Sequence, residues 1–140
     1  LCSNDYVAPP AEQLVRELAV EVLDSFEKLE VVTCLSRTRG PMSQDELAQA
    51  LRIERTELVE PLAALAREQI IAAGSQGYEL VEGGKWTRHV AMLAALYEED
   101  RIAVVTIMSE AALSRLRRQA NRAFADAFVI RAKKKGDSDG

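Results

Sequence analysis

The segment Arg39-Gly40-Pro41-Met42-Ser43-Gln44-Asp45-Glu46 constrains the fold more than any other. Glycine and proline end whatever helix runs into them, the first by favouring a left-handed cap and the second by lacking an N–H. Ser43 and Glu46 then stand at capping-box spacing. The serine hydroxyl accepts from the backbone N–H three residues on, and the glutamate accepts from the N–H of the serine. Met42 and Leu47 flank this cap as a hydrophobic staple. One helix therefore ends just before Gly40 and another starts just after Ser43. Arg52-Ile53 follows so soon that the second helix is short.

The flanking segments are helical as well. Leu14, Leu18 and Val22 recur at helical spacing after Pro9-Pro10, and Asp24 or Ser25 interrupts and recaps the chain. Phe26, Leu29, Val32 (or Thr33) and Leu35 make the next stripe. Downstream, Leu58, Leu62, Leu65 and Gln69 share a face, with Val59 and Ala66 beside them. Thr56 is a suitable N-cap for that helix, with Glu57 its first residue. A rival register begins at Pro61, which suits a first helical position; Leu58 fits the same apolar face and favours the Thr56 start. Ile70 to Ala73 and Tyr78 to Val81 read as strands joined by Gly74-Ser75-Gln76-Gly77, a hairpin. After Gly83-Gly84 the stripes are Trp86, Val90, Leu93 and Leu96 (or Tyr97); then Ile102, Val105 and Met108 (or Ala112); then Leu113, Leu116, Ala120, Phe124 and Ala127. Asp100 and Ser109 are the expected caps between them.

This order of helix, capped short helix, helix and hairpin resembles the winged-helix domain of bacterial transcription regulators, including the MarR type. The residues that carry the resemblance are "MSQDELAQALRI", "LVEPLAALAREQII" and "YELV". "DSFEKLEVVTCL" and "RAFADAFVIR" are similar to a group of uncharacterised bacterial proteins that join such a domain to a helical tail. The expected fold is mainly α with a small β-hairpin: a winged helix-turn-helix flanked by N- and C-terminal helices. The expected segments are a helical lead-in over 1–24, the winged helix over 25–82, a helical extension over 83–132 and a disordered tail over 133–140. The resemblance implies binding to double-stranded DNA, and a homodimer through the terminal helices.

Charge pulls against the first of these implications. From Pro41 to Glu82 there are three basic residues, Arg52, Arg55 and Arg67, against eight acids, a net of −5. Phosphate neutralisation supplies most non-specific affinity for DNA, so such a segment is poorly suited to it. Glu57 and Glu60 are better explained by the positive end of the helix dipole. With Leu58, Leu62 and Leu65 turned inward, the face left to read a groove is Glu57, Glu60, Ala64, Arg67 and Glu68, and the turn of the hairpin has no cation. Arg115 to Lys135 is the reverse, with eight basic residues and one acid, net +7, in a chain whose total is −4. Arg115, Arg118 and Arg122 share a helix face and Lys133, Lys134 and Lys135 extend it. Such a face complements its own helix C-terminus, DNA phosphates, an acidic protein (the winged helix of a second subunit included) or an anionic membrane surface, the last least because Asp126 and many alanines dilute the apolar side.

Two functional expectations follow. One is a winged-helix regulator whose DNA contacts are Arg52, Arg55 and the basic C-terminal helix, presented by a dimer. The other is a protein-interaction module whose acidic winged helix has left DNA. Enzymatic chemistry is not expected. The single histidine, His89, has for company Glu82 or a residue brought in by folding; Cys34 falls in an apolar run; Glu98 to Asp100 point in different directions; and "GGK" lacks the earlier glycine and following Ser or Thr of a phosphate loop. No cofactor and no metal are expected. The apolar runs are too short to span a bilayer, no secretory signal is visible, and two isolated cysteines make no disulfide framework, so the expected setting is cytoplasmic.

Overall fold

The computed structural model describes residues 10–139, with side chains described for 11–129. Cys2 and the side chains of Arg131 and Lys133 to Lys135 lie outside the described residues; the backbone of 133–139, expected as a disordered tail, continues as helix. The chain is mainly helical, 73 %, with six α-helices and one two-stranded antiparallel sheet. In order these are α1 (Pro10–Glu21), α2 (Phe26–Thr38), α3 (Gln44–Leu51), a 3-10 turn (Arg55–Leu58), α4 (Val59–Arg67), β1 (Ile71–Gly74), β2 (Gly77–Leu80), α5 (Thr87–Glu99) and α6 (Arg101–Asp139). The expected helix-turn-helix with a hairpin wing, flanked by terminal helices, is present.

α2 is the centre of the molecule. Its Leu29, Val31, Val32, Thr33, Cys34 and Leu35 are all buried, because α3, α4 and β2 pack on one side of it and α5 on the other. Ser25 caps it by accepting from the backbone N–H of Lys28. Phe26, expected in the apolar stripe, is 49 % exposed instead. Lys28 is nearly buried and keeps its charge satisfied through Asp24, 2.6 Å away. α2 ends on Arg39 in the left-handed conformation. The capping box then forms as its spacing predicts: Ser43 N–H donates to Glu46 Oε1 at 2.8 Å and Glu46 N–H donates to Ser43 Oγ at 3.1 Å. Met42 and Leu47, the staple residues, both join the core.

The wing is fastened at that same point. β1 pairs with β2 in the register Ile71–Leu80 to Gly74–Gly77, each strand one residue off the sequence reading. Tyr78 also bridges to Met42, with N–H···O distances of 2.7 and 2.9 Å. Gly77 makes this possible: its φ is 132°, and a side chain there would meet the backbone of Met42.

Three sequence expectations are corrected. The segment before α4 is neither an α-helix from Thr56 nor a loop up to Pro61. It is a 3-10 turn that starts after Glu54 with no side-chain cap, and α4 begins at Val59. Pro61 falls in the first turn of α4, where N–H groups have no helical partner to lose. The two helices expected after Asp100 are one, α6, with no break at Ser109. Asp100 does cap it, accepting from Ala103 N–H at 3.1 Å. The buried face of α6 is Val104, Ile107, Met108 and Ala111, whereas Ile102 is 77 % and Val105 38 % exposed. Both sets are apolar at helical spacing; packing against α1 and α5 selects the first.

Candidate interaction surface

α4 with the turn before it occupies the place that the reading helix takes in a DNA-binding winged helix. Leu58, Pro61, Leu62, Ala64 and Leu65 are buried. Ala64 was expected on the exposed face; Ala63 occupies it instead, together with Val59, which is 58 % exposed. The remaining exposed residues from Glu54 to Glu68 are Glu54, Arg55, Thr56, Glu57, Glu60, Arg67 and Glu68. Carboxylates therefore outnumber guanidiniums two to one on a surface whose apolar centre is Val59 and Ala63.

The arginines do not stand free of those carboxylates. Arg55 Nε lies 3.2 Å from Asp45 Oδ1, and Arg67 Nη2 lies 3.9 Å from Glu60 Oε2. All four side chains are about two-thirds exposed or more, so these pairs contribute little to stability. Their effect is on the local field: a phosphate approaching Arg55 or Arg67 also approaches a carboxylate. Arg52 ends α3 in the left-handed conformation with its N–H on Ala48 and Gln49 oxygens, and it enters no ion pair among the described residues. The start of α4 is equally unsuited to an anion. Pro61 supplies no N–H, and that of Val59 is spent on Thr56 O. The wing tip, Ser75-Gln76, carries no cation.

The second surface is α6. At ~1.5 Å per residue its 39 residues span about 58 Å. Its first part lies along α1 and α5. Arg16 meets Glu110 at 2.6 Å, and Arg115 Nη1 donates to Ala19 O at 2.8 Å. Arg115 also reaches Val20 O at 3.4 Å. It thus satisfies carbonyls at the C-terminal end of α1, where a cation is also favoured by the helix dipole. Among the described residues, Arg115 is the selected cation whose side chain donates to the backbone of a distant helix. Arg115→Ala is expected to cost about 1–2 kcal/mol in chemical denaturation, with Arg115→Lys recovering part of it, because a bond to a charged donor is lost at a helix end.

Beyond Arg115, every described residue from Leu116 to Val129 is exposed. Leu113 (52 %), Leu116 (59 %), Phe124 (71 %) and Phe128 (66 %) are among them or adjoin them. The stripe foreseen in the sequence is real, but nothing in its own chain covers it among the described residues. Arg118 and Arg122 are exposed and enter no ion pair there either.

Other chemistry is sparse. His89 Nε2 lies 3.0 Å from Glu17 Oε1 on α1, not beside Glu82, and its ring meets Trp86 edge-on at 4.8 Å. That contact joins α5 to α1 across the sequence and left no local signal. Cys34 is buried with its sulfur 3.7 Å from that of Met42. Among the described residues no three His, Cys, Asp or Glu converge on a metal position, and no helix is long and apolar enough to cross a membrane. The apolar cleft beneath the wing, walled by Ile70, Leu80, Trp86 and Val90, holds about 180 Å³, below the ~300 Å³ at which small-molecule pockets begin. No protein-family model matches the chain, and no curated protein or solved structure matches it.

Proposed function

We propose that the chain is a non-enzymatic winged-helix protein of the transcription-regulator kind, that it is a homodimer joined through its terminal helices, and that its winged helix meets a protein surface in place of duplex DNA. The observation that carries this reading is the reading face itself. It has an apolar centre at Val59 and Ala63, a rim of glutamates, and arginines already beside carboxylates. A basic protein surface complements such a face; a phosphate backbone does not. The setting in this reading is cytoplasmic, in keeping with a free, buried Cys34.

A titration of fluorescent mixed-sequence duplex at about 50 mM salt tests it, because low salt exaggerates any phosphate contact. The wild type and the Arg52→Ala/Arg55→Ala variant are expected to give the same curve. Tight, salt-steep binding that the double substitution removes would overturn the reading.

A second reading keeps DNA as the partner and moves the contact to α6. It rests on Arg117, Arg118 and Arg122, exposed along one stretch of helix. It predicts salt-steep duplex binding that survives loss of Arg52 and Arg55 and disappears in Arg117→Ala/Arg118→Ala/Arg122→Ala.

A further inference from the structure

The apolar side of α6 changes face along the helix. At about 100° per residue, Val104, Ile107, Met108 and Ala111 centre on one side, the side turned to α1 and α5. Arg115, Arg118 and Arg122 continue that side. Leu113, Leu116, Ala120, Phe124 and Ala127 centre about 180° away. A helix that only packed on its own body would keep its apolar side on that body. The inversion presents the second stripe to a helix arriving from the opposite direction.

The stripe also has a repeat of its own. Leu113, Ala120 and Ala127 are seven apart, and Leu116 and Ala123 fall between them, the a and d spacing of paired helices. Turned on itself end for end about a point between Asn121 and Arg122, this stretch is self-complementary. Leu116 of one copy faces Ala127 of the other, and Ala120 faces Ala123. Large then meets small where Leu116 faces Ala127, Leu113 falls level with position 130, and alanines at the centre let the axes approach closely. The same register sets Arg117 beside the Phe124 ring of the second copy, a cation on an aromatic face. A parallel pairing would stack leucine on leucine at one end and alanine on alanine at the other.

We infer that two copies of this chain join through the projecting part of α6 as an antiparallel helix pair centred between Asn121 and Arg122. This rests on the dimeric reading above and adds its orientation and register. The pair is isologous, so it closes at two copies and places the two winged helices at opposite ends of the shared rod.

Cysteine cross-linking reads the register directly. In a Cys2→Ser background, with Cys34 left buried, Leu116→Cys and Ala127→Cys chains are oxidised separately and as a mixture. The expected result is a covalent dimer in the mixture and none from either chain alone, since antiparallel Leu116 positions lie about 16 Å apart along the axis. Self-cross-linking of Leu116→Cys would overturn the register while leaving a dimer standing. Sedimentation equilibrium at high concentration that gives only a 15.4 kDa species would overturn both. Ala120→Asp, at an exposed position, is expected to weaken the dimer by about a hundredfold or more with an unchanged circular dichroism spectrum. An unchanged dissociation constant would count against the seam.

Discussion

Gly77→Ala is expected to lower stability by about 3 kcal/mol or more and the melting temperature by on the order of 10 °C. Two costs coincide there. The backbone φ of 132° is one that side chains rarely adopt. An added Cβ would also lie 2.4 Å from Met42 C, 2.5 Å from Met42 O and 2.7 Å from Ser43 N, all backbone atoms that cannot swing aside. Relief requires moving β2 away from Met42, which breaks the two bonds between Met42 and Tyr78. The wing would then be detached from the start of α3. Gly83→Ala is the control. Its φ is 74°, but nothing lies within 4 Å of the added carbon, so strain alone operates and the expected cost is about 1 kcal/mol. Urea denaturation of both variants separates conformational strain from collision.

Leu93→Ala is expected to cost about 3 kcal/mol. Leu93 is fully buried in α5, the helix that packs against α1, α2 and α6. Its side chain has no route to relax into, because the surrounding core residues come from helices fixed by other contacts. The same substitution at Leu116 is expected to leave the stability of the isolated chain within about 0.5 kcal/mol, since that side chain is 59 % exposed there. Measured against protein concentration, Leu116→Ala should instead weaken association. In the proposed dimer the two leucines would belong to different cores, one completed within the chain and the other only between chains.

The parts of this architecture legible in the sequence are those with short-range chemistry. The Ser43–Glu46 box, the Gly74–Gly77 turn, the Leu58–Leu62–Leu65 face, the Trp86–Val90–Leu93 face and the Asp100 cap each depend on residues within about one or two turns of one another. What stayed hidden depends on distance or on ambiguity. Arg115 finds its carbonyls 96 and 95 residues away, and His89 finds Glu17 72 residues away. Ser109 looked like a cap, but no glycine or proline accompanies it, and an exposed serine is tolerated inside a helix. The side of α6 that packs inward could not be chosen from periodicity, because two apolar stripes overlap there. Their disagreement is now the main pointer to a second copy. Likewise Val59 looked like part of the buried face until the 3-10 turn shifted the start of α4 and turned it outward.

For the candidate surface, what the sequence made legible was its charge balance. The acidic balance of the winged helix predicted a poor match to phosphates, and the geometry adds a reason at each contact element. Arg55 and Arg67 sit beside carboxylates, the start of α4 has spent or lost its donors, and the wing tip is uncharged. A recognition helix in a major groove needs the opposite on all three counts.

Amide spectra of the isotopically labelled chain, recorded while mixed-sequence duplex is added at low salt, test this most directly, because they show where any contact falls. The predicted result is that the amides from Glu54 to Arg67 and those of Ser75 and Gln76 stay in place throughout. Saturable shifts of these amides together, at micromolar duplex, would contradict the proposal that the winged helix meets protein in place of DNA.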